Sequence, residues 1–184
     1  MHCIDMNAWY SRVDKPNRPD YVLFDLDPPD GEFPLAVRAA LLVKEALDAL
    51  ELRSYVKTSG ADGIHVLVPI ARRYGFDRTH AFAEVVSKRL AEENPGVITT
   101  EWLKRKRVGV LLDFHQNGPG RTIASAYSVR PKPGAPVSTP LEWDELTPKL
   151  DPGSFTMSSV LARVEELGDL FEPTLQGRQS LPAV

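Results

Sequence analysis

The chain has 184 residues, enough for one domain with a sizeable core. Hydrophobic residues at 42% and charged residues at 26% exclude a disordered or fibrous protein, and 22 Lys and Arg against 25 Asp and Glu give a net charge of −3. Any contact with nucleic acid must then come from a local basic patch, because the surface as a whole is not basic.

The single cysteine, Cys3, supports neither a disulfide framework nor a zinc site and fits a reducing compartment. The first residues carry no charged segment followed by an apolar one, and no apolar run approaches membrane-spanning length. The expectation is a soluble, cytoplasmic protein with no membrane contact.

Residues 1 to 20 hold Pro16 and Pro19 among charges and read as a lead-in with at most a short strand near Cys3 to Met6. Tyr21 to Asp27 is short, β-favouring and closed by Pro28-Pro29, which predicts a buried strand. In "FPLAVRAALLVKEALDAL", Leu35, Ala39, Leu42, Val43, Ala46, Leu47 and Leu50 recur at helical spacing. "RSYVKTSG" and "IHVLVPI" are strands of a hairpin across "ADG". A second helix is predicted over 77–93, with Asp77 as N-cap and an apolar face of Ala81, Phe82, Val85, Val86 and Leu90. "GVITTEW", "VGVLLDFHQ" and "TIASAYSVR" read as further strands, "RPKPGAPVSTP" as an ordered strap, and "SSVLARVEELGDLF" as an outer helix. The order β, α, β, β, α, β, β predicts an α+β fold close to the split βαβ arrangement, in one domain over 1–184.

Chemistry gathers in three places. Asp25 and Asp27 lie two apart on a strand, so both project from one face. Carboxylates at that spacing repel, and burying them is costly unless cations neutralise them. All-oxygen ligation of this kind suits Mg²⁺ or Mn²⁺. The alternative is a pair of solvent-facing residues capping the Pro-Pro turn. "VGVLLDFHQ" repeats the pattern with Asp113 and, two residues on, His115 on the same face. If strands 21–27 and 109–115 are neighbours, three carboxylates converge and can hold two metal ions for phosphoryl transfer. In "KTSGADGIHVLVP", Ser59, Gly60 and Gly63 form a small-residue loop whose N–H groups could face phosphate, flanked by Lys57 and His65. It is not a Walker A loop, and an ordinary hairpin with a core histidine is the competing reading. The basic run "KRKR" at 104–107, with Arg121, Arg130 and Lys132, borders the acidic strand and could hold triphosphate or template backbone.

In order and spacing, "DLDP", "KTSGADGIHVLVP", "KRVGVLLDFHQN" and "YSVRPKPGAPVSTPLEWDEL" resemble the motifs of the polymerase domain of bacterial ligase D, in the archaeo-eukaryotic primase superfamily. The resemblance spans nearly the whole chain. It implies an RRM-like catalytic core and metal-dependent, template-directed nucleotidyl transfer, often with ribonucleotides, at DNA ends during non-homologous end joining. By position it makes Asp25, Asp27 and Asp113 the catalytic metal ligands for Mn²⁺ or Mg²⁺. Ser59 and His65 match nucleotide-phosphate contacts, Arg107, Gln116 and Arg130 further nucleotide contacts, and Lys57 a neighbour of them. The partners implied are nucleoside triphosphates, primer-template DNA or DNA ends, and a separate ligase and end-binding protein.

The chain departs from the family in two places. Members carry a substantial segment before the stretch matching "CIDMNAW", a part that helps bind DNA and its 5′-phosphate, and they often have His-Pro where this chain has Asn7-Ala8. Altered end recognition and the loss or replacement of one phosphate-side contact are expected. The competing functional readings are a truncated module that binds DNA ends or nucleotide without catalysis, and a metal-dependent phosphoesterase.

Overall fold

The computed structural model describes residues 3–183. A six-stranded sheet forms from β2 (Tyr21–Asp27), β3 (Tyr55–Thr58), β4 (Ile64–Pro69), β5 (Ile98–Thr99), β6 (Val110–Asp113) and β8 (Pro140–Leu141), in the order β5-β6-β2-β4-β3-β8. All pairings are antiparallel except β5 with β6. A separate two-stranded ribbon joins β1 (Asn7–Trp9) to β7 (Thr122–Ala124). The helices are α1 (Phe33–Ala49), α2 (Phe76–Glu93) and α3 (Met157–Leu167). The α+β class expected from the sequence is the one observed.

Strand alternation sorts the central residues cleanly. Val22, Phe24 and Leu26 of β2, Ile64, Val66 and Val68 of β4, and Val110 and Leu112 of β6 belong to the main core under α1 and α2. The odd-numbered residues point the other way. Tyr21, Leu23 and Leu67 pack there with Tyr10, Phe76 and Ile123, so the ribbon covers only part of that face. The uncovered part begins at Asp25.

Several predicted boundaries shift for identifiable reasons. The amino-terminal strand is Asn7–Trp9, one step beyond Cys3 to Met6, because pairing with Thr122–Ala124 fixes it. Gly75 in extended conformation, not Asp77, is the N-cap of α2, and Asp77 lies in the first turn, where its charge suits the helix dipole. The strand predicted over 96–102 shrinks to Ile98–Thr99 because side chains take over its backbone donors: Thr99 Oγ1 accepts from Glu101 N–H (3.1 Å) and Glu101 Oε1 from Leu103 N–H (2.9 Å). The strand predicted over 122–130 stops at Ala124, and Tyr127 at φ 64° breaks extended pairing. The strap contributes β8 to the sheet edge through Val56–Leu141 and Lys57–Pro140. Helix α3 starts at Met157 behind a Thr156–Ser159 capping box and ends before Gly168, short of Phe171.

Among the described residues no helix is long and apolar enough to cross a membrane.

Candidate active site

A row of chemically active residues crosses the sheet on its open face. Asp113 of β6 stands directly opposite Asp25 of β2, Asp25 opposite His65 of β4, and His65 opposite Lys57 of β3. Asp27 follows Asp25 on the same face at the end of β2. The expectation that strands 21–27 and 109–115 are neighbours is therefore met in register as well as in proximity. A cleft of about 220 Å³ lies over the middle of this row, lined among others by Asp25, Asp27, Ser59, His65 and Arg130 together with Asn7 and Ile123 of the ribbon. A larger groove of about 630 Å³ between α1 and α2 is apolar at its floor, with Leu42, Phe82 and Val86, and its charged groups are Glu45 and the Arg89–Glu93 ion pair. Convergent titratable groups single out the smaller cleft.

The electrostatics are those of an acidic cluster short of cations. Burial raises the pKa of Asp25 to about 6, against the opposing pull of Lys57 and Arg130. Asp27, the most open of the three, is raised by its partial withdrawal from water and then by the charges of Asp25 and Asp113, against Arg107. Asp113 is buried and raised for the same reasons, although His115 N–H donates to its Oδ1 (2.9 Å). Among the described residues the side chains as placed form no group of three or more His, Cys, Asp or Glu that could hold a metal ion, the three aspartates included. Their donor set, three carboxylates sharing one sheet face and disfavouring ionisation together, fits a hard divalent cation.

His65 is 5% exposed, and its Nε2 lies 3.3 Å from Asp25 Oδ1. Burial first, then the charges of Lys57 and Arg130, holds its pKa well below the ordinary histidine value, so the ring is neutral at pH 7. Its Nδ1 is buried without a hydrogen-bond partner, whereas Nε of Arg130, also without a hydrogen bond, lies 3.4 Å from Asp5 Oδ1. An unmet imidazole nitrogen beside a cleft is the state expected of a group completed by a ligand.

The small-residue loop is held by Ser59, whose Oγ accepts from Ala61 N–H (3.1 Å) and Gly63 N–H (3.0 Å). Ser59 N–H in turn donates to Gly63 O (2.9 Å), so three of the loop N–H groups are used inside the loop, while the Ser59 hydroxyl keeps its own proton to give. Both glycines are required. Gly60 sits at φ 72°, and a Cβ there would lie 2.6 Å from Arg130 Cγ and 2.7 Å from Ser138 N; at Gly63 it would lie 2.7 Å from Leu26 O. Arg130 Nη1 donates to Ser59 O (3.0 Å), which ties this guanidinium to the loop.

The remaining predicted residues are dispersed around this centre. Lys57 shares the face of His65 but is sealed from solvent: it is 1% exposed, and its amine bonds the Ser138 hydroxyl and Thr58 O. Burial pushes its pKa down to about 7 despite Asp25. Arg107 spans the carbonyls of Glu101 (3.1 Å) and Trp102 (2.9 Å) while its charge acts on Asp27. Gln116 accepts from the hydroxyl of the buried Tyr10 (3.1 Å). His115 does not share the face of Asp113: the chain leaves β6 in a 3-10 turn over Phe114–Gln116, capped by Asp113 itself, and the ring turns to Phe114, His80 and Trp102.

Three contributors were missed in the sequence. Asn117 replaces the ladder that β6 abandons, accepting from Leu23 N–H (2.9 Å) and donating to Leu23 O (2.7 Å). Tyr10 places a hydroxyl near Asp25 and Asp113, whose charges add to burial in raising its pKa. Ser138 anchors Lys57. For Asn117 the signal was an amide just past an apolar strand; nothing in the local sequence marks the other two.

A largely antiparallel sheet with helices on one face and a cross-strand aspartate row on the other makes this an α+β domain with an acidic site on its open face. The model of the LigD primase-polymerase domain matches residues 1–171, and the chain belongs to that family. It is 36% identical over 169 residues to the multifunctional non-homologous end joining protein LigD of Pseudomonas aeruginosa, covering 91% of this chain and 20% of that protein. It is 33% identical over 171 residues to the bifunctional LigD of Bacillus subtilis, covering 91% of this chain and 28% of that protein. The solved polymerase domain of Mycobacterium tuberculosis ligase D, in complex with DNA, superposes with a TM-score of 0.81 at 28% identity, covering 88% of this chain and 57% of that one. The chain thus spans between a fifth and somewhat over a quarter of these curated relatives.

Proposed function

We propose that the chain is a metal-dependent, primase-like nucleotidyltransferase that adds ribo- or deoxyribonucleotides to a primer 3′ end in DNA end joining. The observation that carries this reading is the direct cross-strand pairing of Asp25 with Asp113, with Asp27 on the same face at the mouth of the cleft. Raised carboxyl pKa values at both positions of the pair, chiefly from burial and at Asp113 also from the charge of Asp25, mean that ionising them costs the fold, a cost that bound cations would offset.

Asp25, Asp27 and Asp113 would hold Mn²⁺ or Mg²⁺. Bound there, such ions supply charge stabilisation to the α-phosphate in transfer and activate the attacking 3′-hydroxyl. The chain's own groups do the rest. The Ser59 proton and the Arg130 guanidinium, fixed to each other through Ser59 O, offer donors to phosphate oxygens at one end of the cleft. Neutral His65 steadies Asp25 without adding a competing charge. Lys57, buried on the same sheet face beyond His65, lowers the cost of ionising Asp25 while its amine stays on the Ser138 hydroxyl and Thr58 O. The primer oxygen bonds the α-phosphorus as the bond to pyrophosphate breaks and the 3′-hydroxyl proton passes to water, with the aspartates acting as ligands and not as proton shuttles.

DNA at an end or gap is the proposed nucleic-acid partner, supported by the DNA complex of the M. tuberculosis domain. A ligase and an end-binding protein are the proposed protein partners, and the bacterial cytoplasm, at the nucleoid, the proposed location. Primer extension with labelled ribo- and deoxyribonucleotides, in Mn²⁺ and in Mg²⁺, tests the reading. Incorporation supports it; nucleotide binding without incorporation would leave a non-catalytic module, and phosphate release from a generic ester would indicate a phosphoesterase.

A further inference from the structure

We propose that a recess beside Asp113 is a stacking site for an unpaired nucleobase, placed so that a single strand laid on it leads to the aspartate row. The inference deepens the nucleotidyltransferase reading by naming the strand that the site receives. The recess measures about 510 Å³ and is lined by His80, Trp102, His115, Gly118, Pro119 and Arg121. Its rings form one connected array. Trp102 meets His115 edge to face (5.9 Å, 89°), His80 lies tilted 5.6 Å from His115, and Phe114 backs both imidazoles at 4.3 and 5.4 Å.

Trp102 is 56% exposed, with Leu103 and Val108 also open beside it in sequence. An indole left in water on a held segment marks an interaction site rather than a packing residue. The segment is held: Arg107 bonds the carbonyls of Glu101 and Trp102, and Thr99 and Glu101 take the N–H groups on either side of Trp102. The presentation of the ring is therefore fixed before any ligand arrives.

The charge near these rings selects the occupant. Arg121 lines the recess, and Arg105 and Lys106, which follow Trp102 closely in the chain, are exposed with no acidic group within ion-pair distance among the described residues. Lys104 pairs only with the exposed Asp30 at 3.2 Å. No carboxylate lines the recess, and Glu84, close to His80, is engaged by Lys88 (2.6 Å). Rings with open faces bordered by unpaired cations are the chemistry of single-stranded nucleic acid, with bases on the rings and phosphates on the cations. The site also joins the aspartate row. His115 N–H donates to Asp113 Oδ1, and the Arg121 charge acts on the same carboxyl.

Fluorescence anisotropy with a short labelled oligothymidine and with a blunt duplex of equal length tests this without nucleotide or metal. Trp102→Ala should weaken single-strand binding about tenfold, within the range for one base stacked on an aromatic ring, and leave the duplex within about twofold. Trp102→Phe should stay within about threefold of the parent on the single strand, because a ring face is retained. Arg105→Ala and Lys106→Ala should each lower the slope of log K against log salt by about one, whereas Trp102→Ala should leave the slope alone. Melting temperature checks that Trp102→Ala remains folded. Unchanged single-strand affinity in that variant, an equal loss on blunt duplex, or no single-strand binding by the parent would each overturn the proposal. A chain that bound single strands through Trp102 yet extended no primer would instead sink the polymerase reading and leave this site standing.

Discussion

Replacing Asp25 by Asn should stabilise the metal-free protein at pH 7.5 while removing its activity. The carboxyl is 14% exposed, and its pKa moves from 3.8 to about 6 on folding, chiefly through burial. Each tenfold change in proton affinity is worth about 1.4 kcal/mol, so the ionised side chain costs the fold up to about 3 kcal/mol at neutral pH. Asn keeps the shape and sheds that cost. Part of the gain is returned because Lys57 loses its counter-charge and His65 its carboxylate neighbour, which leaves about 1 to 3 kcal/mol. For a chain of this size that is a rise in melting temperature of roughly 3 to 8 °C. The sign with pH is fixed. A carboxyl whose pKa is higher folded than unfolded contributes stability that is fully present below about pH 4 and is lost as pH rises through about 6. The advantage of Asn should accordingly fade to nothing near pH 4. Thermal melts of parent and variant in chelator, from pH 4 to 7.5, measure it. A variant no more stable than the parent at pH 7.5, or an advantage independent of pH, would refute the reasoning.

Adding Mn²⁺ should raise the parent's melting temperature, by about 2.7 kcal/mol of stability at a hundredfold excess over Kd, and should raise that of Asp25→Asn much less; equal shifts would remove the carboxylates from the metal site. His65→Ala should weaken nucleotide binding about tenfold, measured by titration calorimetry, with a smaller loss in thermal stability, about 1 kcal/mol or less. The reverse order would make His65 a core residue. Asn117→Ala strips partners from both backbone groups of Leu23 inside the sheet and should cost about 2 to 4 kcal/mol in denaturant unfolding; a cost below about 1 kcal/mol would mean that water reaches the gap. Gly60→Ala, at φ 72° and pressed on Ser138, should lose about 2 kcal/mol and loosen the hold of Arg130 on the loop, read as weaker triphosphate binding.

The central strands were legible because burial on one face and chemistry on the other leave a period-2 trace: Val22, Phe24 and Leu26 against Asp25 and Asp27. The pairing of Asp113 with Asp25 followed from a second acidic break in an apolar strand. What the sequence hid is side-chain competition for backbone groups. Asp113 caps its own turn and swings His115 to the other side, and Asn117 then stands in for strand β6, a substitution that no periodicity records. Lys57 sits on a β-favouring strand like any surface lysine; only the register with His65 and the packing of Ser138 and Thr139 reveal it as buried. Tyr10 belongs to a lead-in segment with no periodic signal, and its hydroxyl reaches Gln116 across 106 positions.

The measurement closest to the central claim is primer extension on a primer-template with an unpaired template base, comparing the parent with Asp25→Asn and Asp113→Ala at equal folded concentration in Mn²⁺. The parent should add nucleotides, and each variant should lose the transition-state stabilisation of a displaced cation, a drop of at least about 10²-fold. Extension by either variant at a rate near that of the parent would make the cross-strand aspartates structural and contradict the account.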